Sequence, residues 1–148
     1  MDNNLLIMLI NYVMALAILL FILKIRRKSK RTIDAALQAF FNITNSWGLS
    51  AYEERILLGS PTEVTFAKWK SRKSANRLQR DTLERISYIV GIYIDLNILL
   101  PSTQAANEWM KKPNTAPLFQ GRSALKQILT GNITDLANVR SYLNSQIL

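Results

Sequence analysis

The chain has 148 residues, 19 Lys and Arg against 10 Asp and Glu for a net charge of +9, and neither Cys nor His. Without Cys there are no disulfides, thiolate nucleophiles or ordinary structural zinc sites, and without His the commonest general base and metal ligand are missing. The length fits one ordinary domain, or a small domain behind a separate N-terminal segment.

An uncharged run of 19 residues opens at Leu5 and closes at Leu23. As a helix it measures roughly 28 Å, close to the ~30 Å hydrocarbon core of a bilayer. Lys24, Arg26, Arg27, Lys28, Lys30 and Arg31 follow it and only Asp2 precedes it, an asymmetry that predicts a single pass through the inner membrane with the body in the cytoplasm. Basic residues after the apolar core are the reverse of a signal peptide. The competing readings are a helix buried in an oligomer and an apolar extension from a misplaced start codon. Residues 1–31 are thus expected to form a membrane anchor with a basic juxtamembrane segment, which accounts for most of the excess charge. From Thr32 onward 13 bases face 9 acids.

The rest of the chain reads as all-α, with caps and glycine stops and no alternating strand pattern. A helix over residues 33–47 presents Ala36, Leu37, Phe40, Phe41, Ile43 and Trp47, and Gly48 ends it. Ser50 and Glu53 predict a capping box opening a short helix over 51–58 that Gly59 stops. Ser60 as N-cap, Pro61 in the first turn and Glu63 predict the next helix, to about Ser71. Two short helices joined by a tight turn after a longer one have the outline of a helix-turn-helix unit.

Asp81 and Glu84 predict a helix that is apolar nearly all round, expected to be the buried central helix of the domain and to end at Pro101. Ser102 caps a segment over 103–111. Pro113 and Pro117 then force an extended turn, Ser123 caps 124–130, and Asn132 with Asp135 begins the last helix.

Lys68, Lys70, Arg72, Lys73, Arg77, Arg80 and Arg85 place seven bases in eighteen residues at the end of the second short helix and beyond it. This is where a helix-turn-helix would touch phosphates, and Thr62, Glu63 and Thr65 are the residues available for base reading. A solvated basic face is the plain alternative. Phe66 and Trp69 read as core. No P-loop, nucleophile elbow, His-based metal pair or dinucleotide turn is present, and the carboxylates are scattered, so neither an enzyme nor a cofactor is expected. Gly91 reads as a packing glycine inside its helix.

The segment from Trp109 to Phe119 reads as a short helix followed by a rigid turn presenting Leu118 and Phe119 as a protein interface, or else as aromatic residues that seal the core. Its residues carry a resemblance. Trp109, Pro113-Asn114, Pro117-Leu118-Phe119, Gly121-Arg122-Ser123-Ala124-Leu125 and Leu129-Thr130-Gly131-Asn132, preceded by Trp47-Gly48-Leu49-Ser50, Leu57-Leu58-Gly59, Lys68-Trp69-Lys70 and Leu83-Glu84-Arg85-Ile86-Ser87-Tyr88, resemble the Xre/MbcA/ParS-type antitoxins.

The resemblance implies an Xre-like helix-turn-helix half over 32–100 and a toxin-binding half over 101–148. It implies an antitoxin of a type II toxin-antitoxin pair, blocking a cognate toxin that is often a RES-domain protein consuming NAD or transferring ADP-ribose, and autorepressing its own operon. Toxin contact would fall on Trp109, Pro113, Asn114, Phe119, Gly121, Arg122, Ser123 and Leu143. Operator contact would fall on Thr62, Thr65, Lys68, Lys70, Arg72, Lys73 and Arg77, by a chain acting as a homo-oligomer, since such repressors commonly bind two half-sites. The alternative is a membrane-anchored DNA-binding regulator without a toxin.

Overall fold

The computed structural model describes the backbone of residues 3–147 and their side chains apart from those of residues 3–12, 15 and 72. Seven helices follow one another: α1 Asn3–Ser46, α2 Ala51–Leu57, α3 Glu63–Arg72, α4 Arg80–Leu99, α5 Thr103–Trp109, α6 Ala124–Ile128 and α7 Ile133–Ile147. Among the described residues the one departure from helix and loop is an isolated antiparallel bridge between Pro113 and Ser123.

Helix α1 is longer than the pattern over 33–47 predicts, because no Gly or Pro interrupts residues 3–46 and nothing breaks the ladder between the apolar run, the basic run and the amphipathic part. Only its C-terminal part is packed: Ile33, Leu37, Phe40, Phe41 and Ile43 are buried, whereas residues 16–32 are exposed.

The expected membrane crossing finds no support among the described residues. Among the described residues no helix is long and apolar enough to cross a membrane. Residues 5–12 of the expected span lie outside the described side chains.

The capping box at Ser50 forms as expected: the Ser50 hydroxyl accepts from the Glu53 N–H at 3.3 Å, and the Glu53 carboxylate accepts from the Ser50 N–H at 2.8 Å. The next cap is displaced. Ser60 sits at φ 57° in the turn, and Thr62 caps α3 by accepting from the Thr65 N–H at 3.3 Å. With Ser60 in the left-handed region the chain turns before Pro61, so helical geometry begins two residues later than the Ser-Pro pattern predicts.

Helix α4 is the centre of the body, packed against α1 on one side and α7 on the other. Ile86, Ile89, Ile92 and Leu96 are buried with Leu37, Phe40, Trp47, Leu57, Met110, Ile128, Leu136 and Val139 in one continuous core. Most of α4 is covered, as expected of a central helix, but one stripe is open: Ile94 and Ile98 are 51% and 61% exposed. A Cβ on Gly91 would collide with the Arg140 guanidinium, so the glycine admits the Arg140 head across α4. There Arg140 faces the buried Asp95 carboxylate at 3.8 Å.

Candidate protein-binding site

The loop between α5 and α6 is built from the backbone outward. Asn114 is its organiser: its N–H donates to the Arg122 carbonyl at 3.1 Å, its own carbonyl accepts from the Gly121 N–H at 2.9 Å, and its side-chain oxygen accepts from the Ala116 N–H at 2.9 Å. The chain reverses through Gln120 at φ 50° and Gly121 at φ 81°, where a side chain at 121 would meet nothing within 4 Å. Gly121 is therefore required for its backbone angle and not for space. The Ser123 hydroxyl closes the loop by accepting from the Lys126 N–H at 3.2 Å, capping α6. The Met110 carbonyl accepts from the Leu125 N–H at 2.9 Å and ties α5 to α6.

The loop is seated on aromatic rings. Phe119 meets Trp109 edge-on with centroids 5.9 Å apart, and Tyr142 of α7 from a second direction. Phe119 is fully buried and Trp109 half-buried. Of the two readings of Phe119, surface anchor or core seal, the structure takes the second: the ring is the plug under the loop, because the Asn114 turn directs it inward onto α7. Leu143 and Ser123 are likewise buried. What the loop presents outward is Pro113, Thr115, Pro117, Gln120, Gly121 and Arg122, with Asn114, Ala116 and Leu118 partly accessible. Of the eight residues assigned to toxin contact, Pro113, Gly121 and Arg122 are exposed, Asn114 and Trp109 line the edge, and Phe119, Ser123 and Leu143 support the loop from inside. Tyr142 was legible only as one apolar position of the last helix; its part in the stack is a tertiary contact.

Glu108 borders this surface, and its carboxylate is held below the usual range by the Gln104 side-chain amide, which donates to it at 3.0 Å, and by the Lys112 ammonium at 3.4 Å.

The residues assigned to DNA divide differently. Thr62 and Thr65 share a hydroxyl contact of 2.9 Å at the start of α3, Lys68 is exposed, and Lys73 sits at φ 47° as the C-cap. Arg77 is exposed in the loop beyond, and the Arg72 side chain is outside the described residues. Lys70 is engaged elsewhere. Its ammonium pairs with Glu54, a carboxylate that is 97% buried and also accepts from the Thr44 hydroxyl at 2.8 Å. Phe66 is buried and Trp69 packs partly against the core, as expected of core residues.

The all-helical body holds a glycine-turned loop over an aromatic seat. Residues 95–146 match the C-terminal toxin-binding domain of the antitoxin Xre/MbcA/ParS family. The chain is also 43% identical over 114 residues to the uncharacterized protein y4oB of Sinorhizobium fredii, covering 77% of this chain and 85% of that one. Residues 95–146 thus form an Xre/MbcA/ParS-type antitoxin toxin-binding domain, and that domain supports an antitoxin role in general.

Proposed function

We propose that the chain neutralises a cognate toxin without catalysing a reaction, by docking the outer edge of the loop over 113–123 against it. The observation that carries this reading is the division of labour in the loop. Phe119 fixes it from within, while Pro113, Gly121 and Arg122 form an outer rim whose conformation is already set, so little ordering entropy is lost on binding. A single guanidinium, Arg122, supplies the directional polar contact such an interface needs. The toxin class we favour is the RES type, supported by the family resemblance, and the halves over 32–100 and 101–148 remain our division of labour.

Co-expression with the product of the adjacent gene tests the proposal. That product should arrest growth alone, be tolerated with this chain, and be retained by it on affinity purification. A neighbour that is harmless alone, or that still kills in the presence of this chain, would overturn it.

A second reading, autorepression by DNA binding, is favoured by one observation. Lys68, Lys73 and Arg77 are exposed around the C-terminal end of α3, away from the core contacts of Phe66 and Trp69. With these bases on phosphates, binding should weaken steeply with salt. Binding that ignores salt would remove DNA from the account.

A further inference from the structure

Arg31 and Lys73, and Lys28 and Arg77, are more than forty residues apart in sequence, yet the structure brings each pair together. Arg31 and Lys73 border one shallow depression, with Asp34 and Ser74 at its centre. Lys28 and Arg77 border another, whose apolar walls include Ile25, Ile33 and Leu78. The Ser74 hydroxyl donates to Asp34 at 2.7 Å and holds the basic loop against α1. All four bases are exposed, and among the described residues none of them forms an ion pair.

The same surface continues along α1 into Leu19, Leu20, Phe21, Ile22 and Leu23, each of them exposed. Five consecutive residues at about 100° each cover the whole circumference of a helix, so this part of α1 is apolar on every side instead of along the single stripe that a partner helix would cover. A second copy laid beside it in parallel would also bring the six bases from Lys24 to Arg31 against six like charges. A surface that is apolar all round, collared by bases and backed by a second set of bases, is complementary to phosphate headgroups above acyl chains.

We propose that this composite surface docks on an anionic phospholipid bilayer, with the exposed apolar part of α1 among acyl chains and Lys28, Arg31, Lys73 and Arg77 on headgroup phosphates. Contact with the facing leaflet is sufficient, and no passage across the membrane is involved. Because Lys73 and Arg77 are shared with the DNA reading, bilayer and DNA would compete for the chain.

The test is sedimentation of the full chain with phosphatidylcholine vesicles prepared with and without phosphatidylglycerol. The chain should pellet far more strongly with the anionic vesicles, and added salt should weaken that binding. The pair Lys73→Asn and Arg77→Gln, with Asn chosen because it tolerates the left-handed φ at 73, should lower the affinity about 25-fold, about fivefold for each base removed. Its thermal melting should stay at that of the parent chain, since both side chains are exposed. Equal pelleting with and without the anionic lipid would overturn the proposal, as would unaltered binding by the double variant. A chain that stays in the supernatant as a salt-insensitive dimer would also overturn it and assign the apolar helix to a second copy.

Discussion

The rings of Phe119 and Tyr142 meet edge to face, with centroids 5.1 Å apart and planes at 86°. This contact joins the loop over 113–123 to the last helix, so the loop's shape depends on a ring that no partner can reach. Phe119→Ala should destabilise the fold by about 3–5 kcal/mol, the range for emptying a fully buried aromatic site. Chemical denaturation monitored by circular dichroism measures this. A loss below about 1 kcal/mol would show that the ring is not the seat of the loop.

The exposed rim behaves in the opposite way. Arg122→Glu should leave the melting transition within about 0.5 kcal/mol of the parent, as expected for a surface substitution away from caps and core. It should nevertheless weaken retention of the adjacent gene's product on affinity purification by at least tenfold. Retention at the parental level would place the toxin contact elsewhere.

Gly91 and Arg140 make a pair whose coupling has a sign. Gly91→Ala alone displaces the guanidinium that faces buried Asp95, which should cost more than the ~0.5–1 kcal/mol that Ala gains over Gly inside a helix. In an Arg140→Ala background the same substitution meets no guanidinium and should stabilise by about 0.5–1 kcal/mol. A double-mutant cycle by urea denaturation measures this reversal. Equal effects in both backgrounds would contradict the close approach.

Lys70 and Lys68 share a helix and differ in employment. Lys70→Met leaves the buried Glu54 carboxylate with the Thr44 hydroxyl as its remaining side-chain donor, and should cost about 1–2 kcal/mol, at the lower end because Lys70 is half exposed. Lys68→Met should be near neutral for stability. Where DNA is bound, Lys68→Met should reduce the slope of log K against log salt by about 1, and Lys70→Met by less. Melting curves and salt titrations of the two variants give both comparisons.

Much of this was legible in the residues. Ser50 with Glu53, Ser102 and Ser123 mark helix starts that the structure keeps, because a hydroxyl that satisfies an orphan N–H acts locally and needs no tertiary context. Gly91 was readable as a packing glycine from its place inside an apolar helix, although Arg140, the group it admits, was not. The outward face of α4 was less legible, since Ile94 and Ile98 have the same composition as the buried Ile89 and Ile92, and only the placement of α1 and α7 decides which are covered. Phe119 reads equally well as an exposed anchor or a core plug, and the Asn114 turn that sends it inward is made by backbone bonds between residues seven and eight apart. The continuity of α1 had a signal in the absence of Gly and Pro up to Ser46, outweighed by the abrupt change from apolar to basic residues at Lys24.

That continuity has a mechanical side. The packed part of α1 carries Leu37 and Phe40 in the core, and the exposed part is the same unbroken rod, with no pivot between them. A flexible tether would let the body tumble about its attachment, whereas this rod hands any torque on its outer half directly to the bundle. Whatever grips that half therefore also dictates which way the loop at 113–123 points.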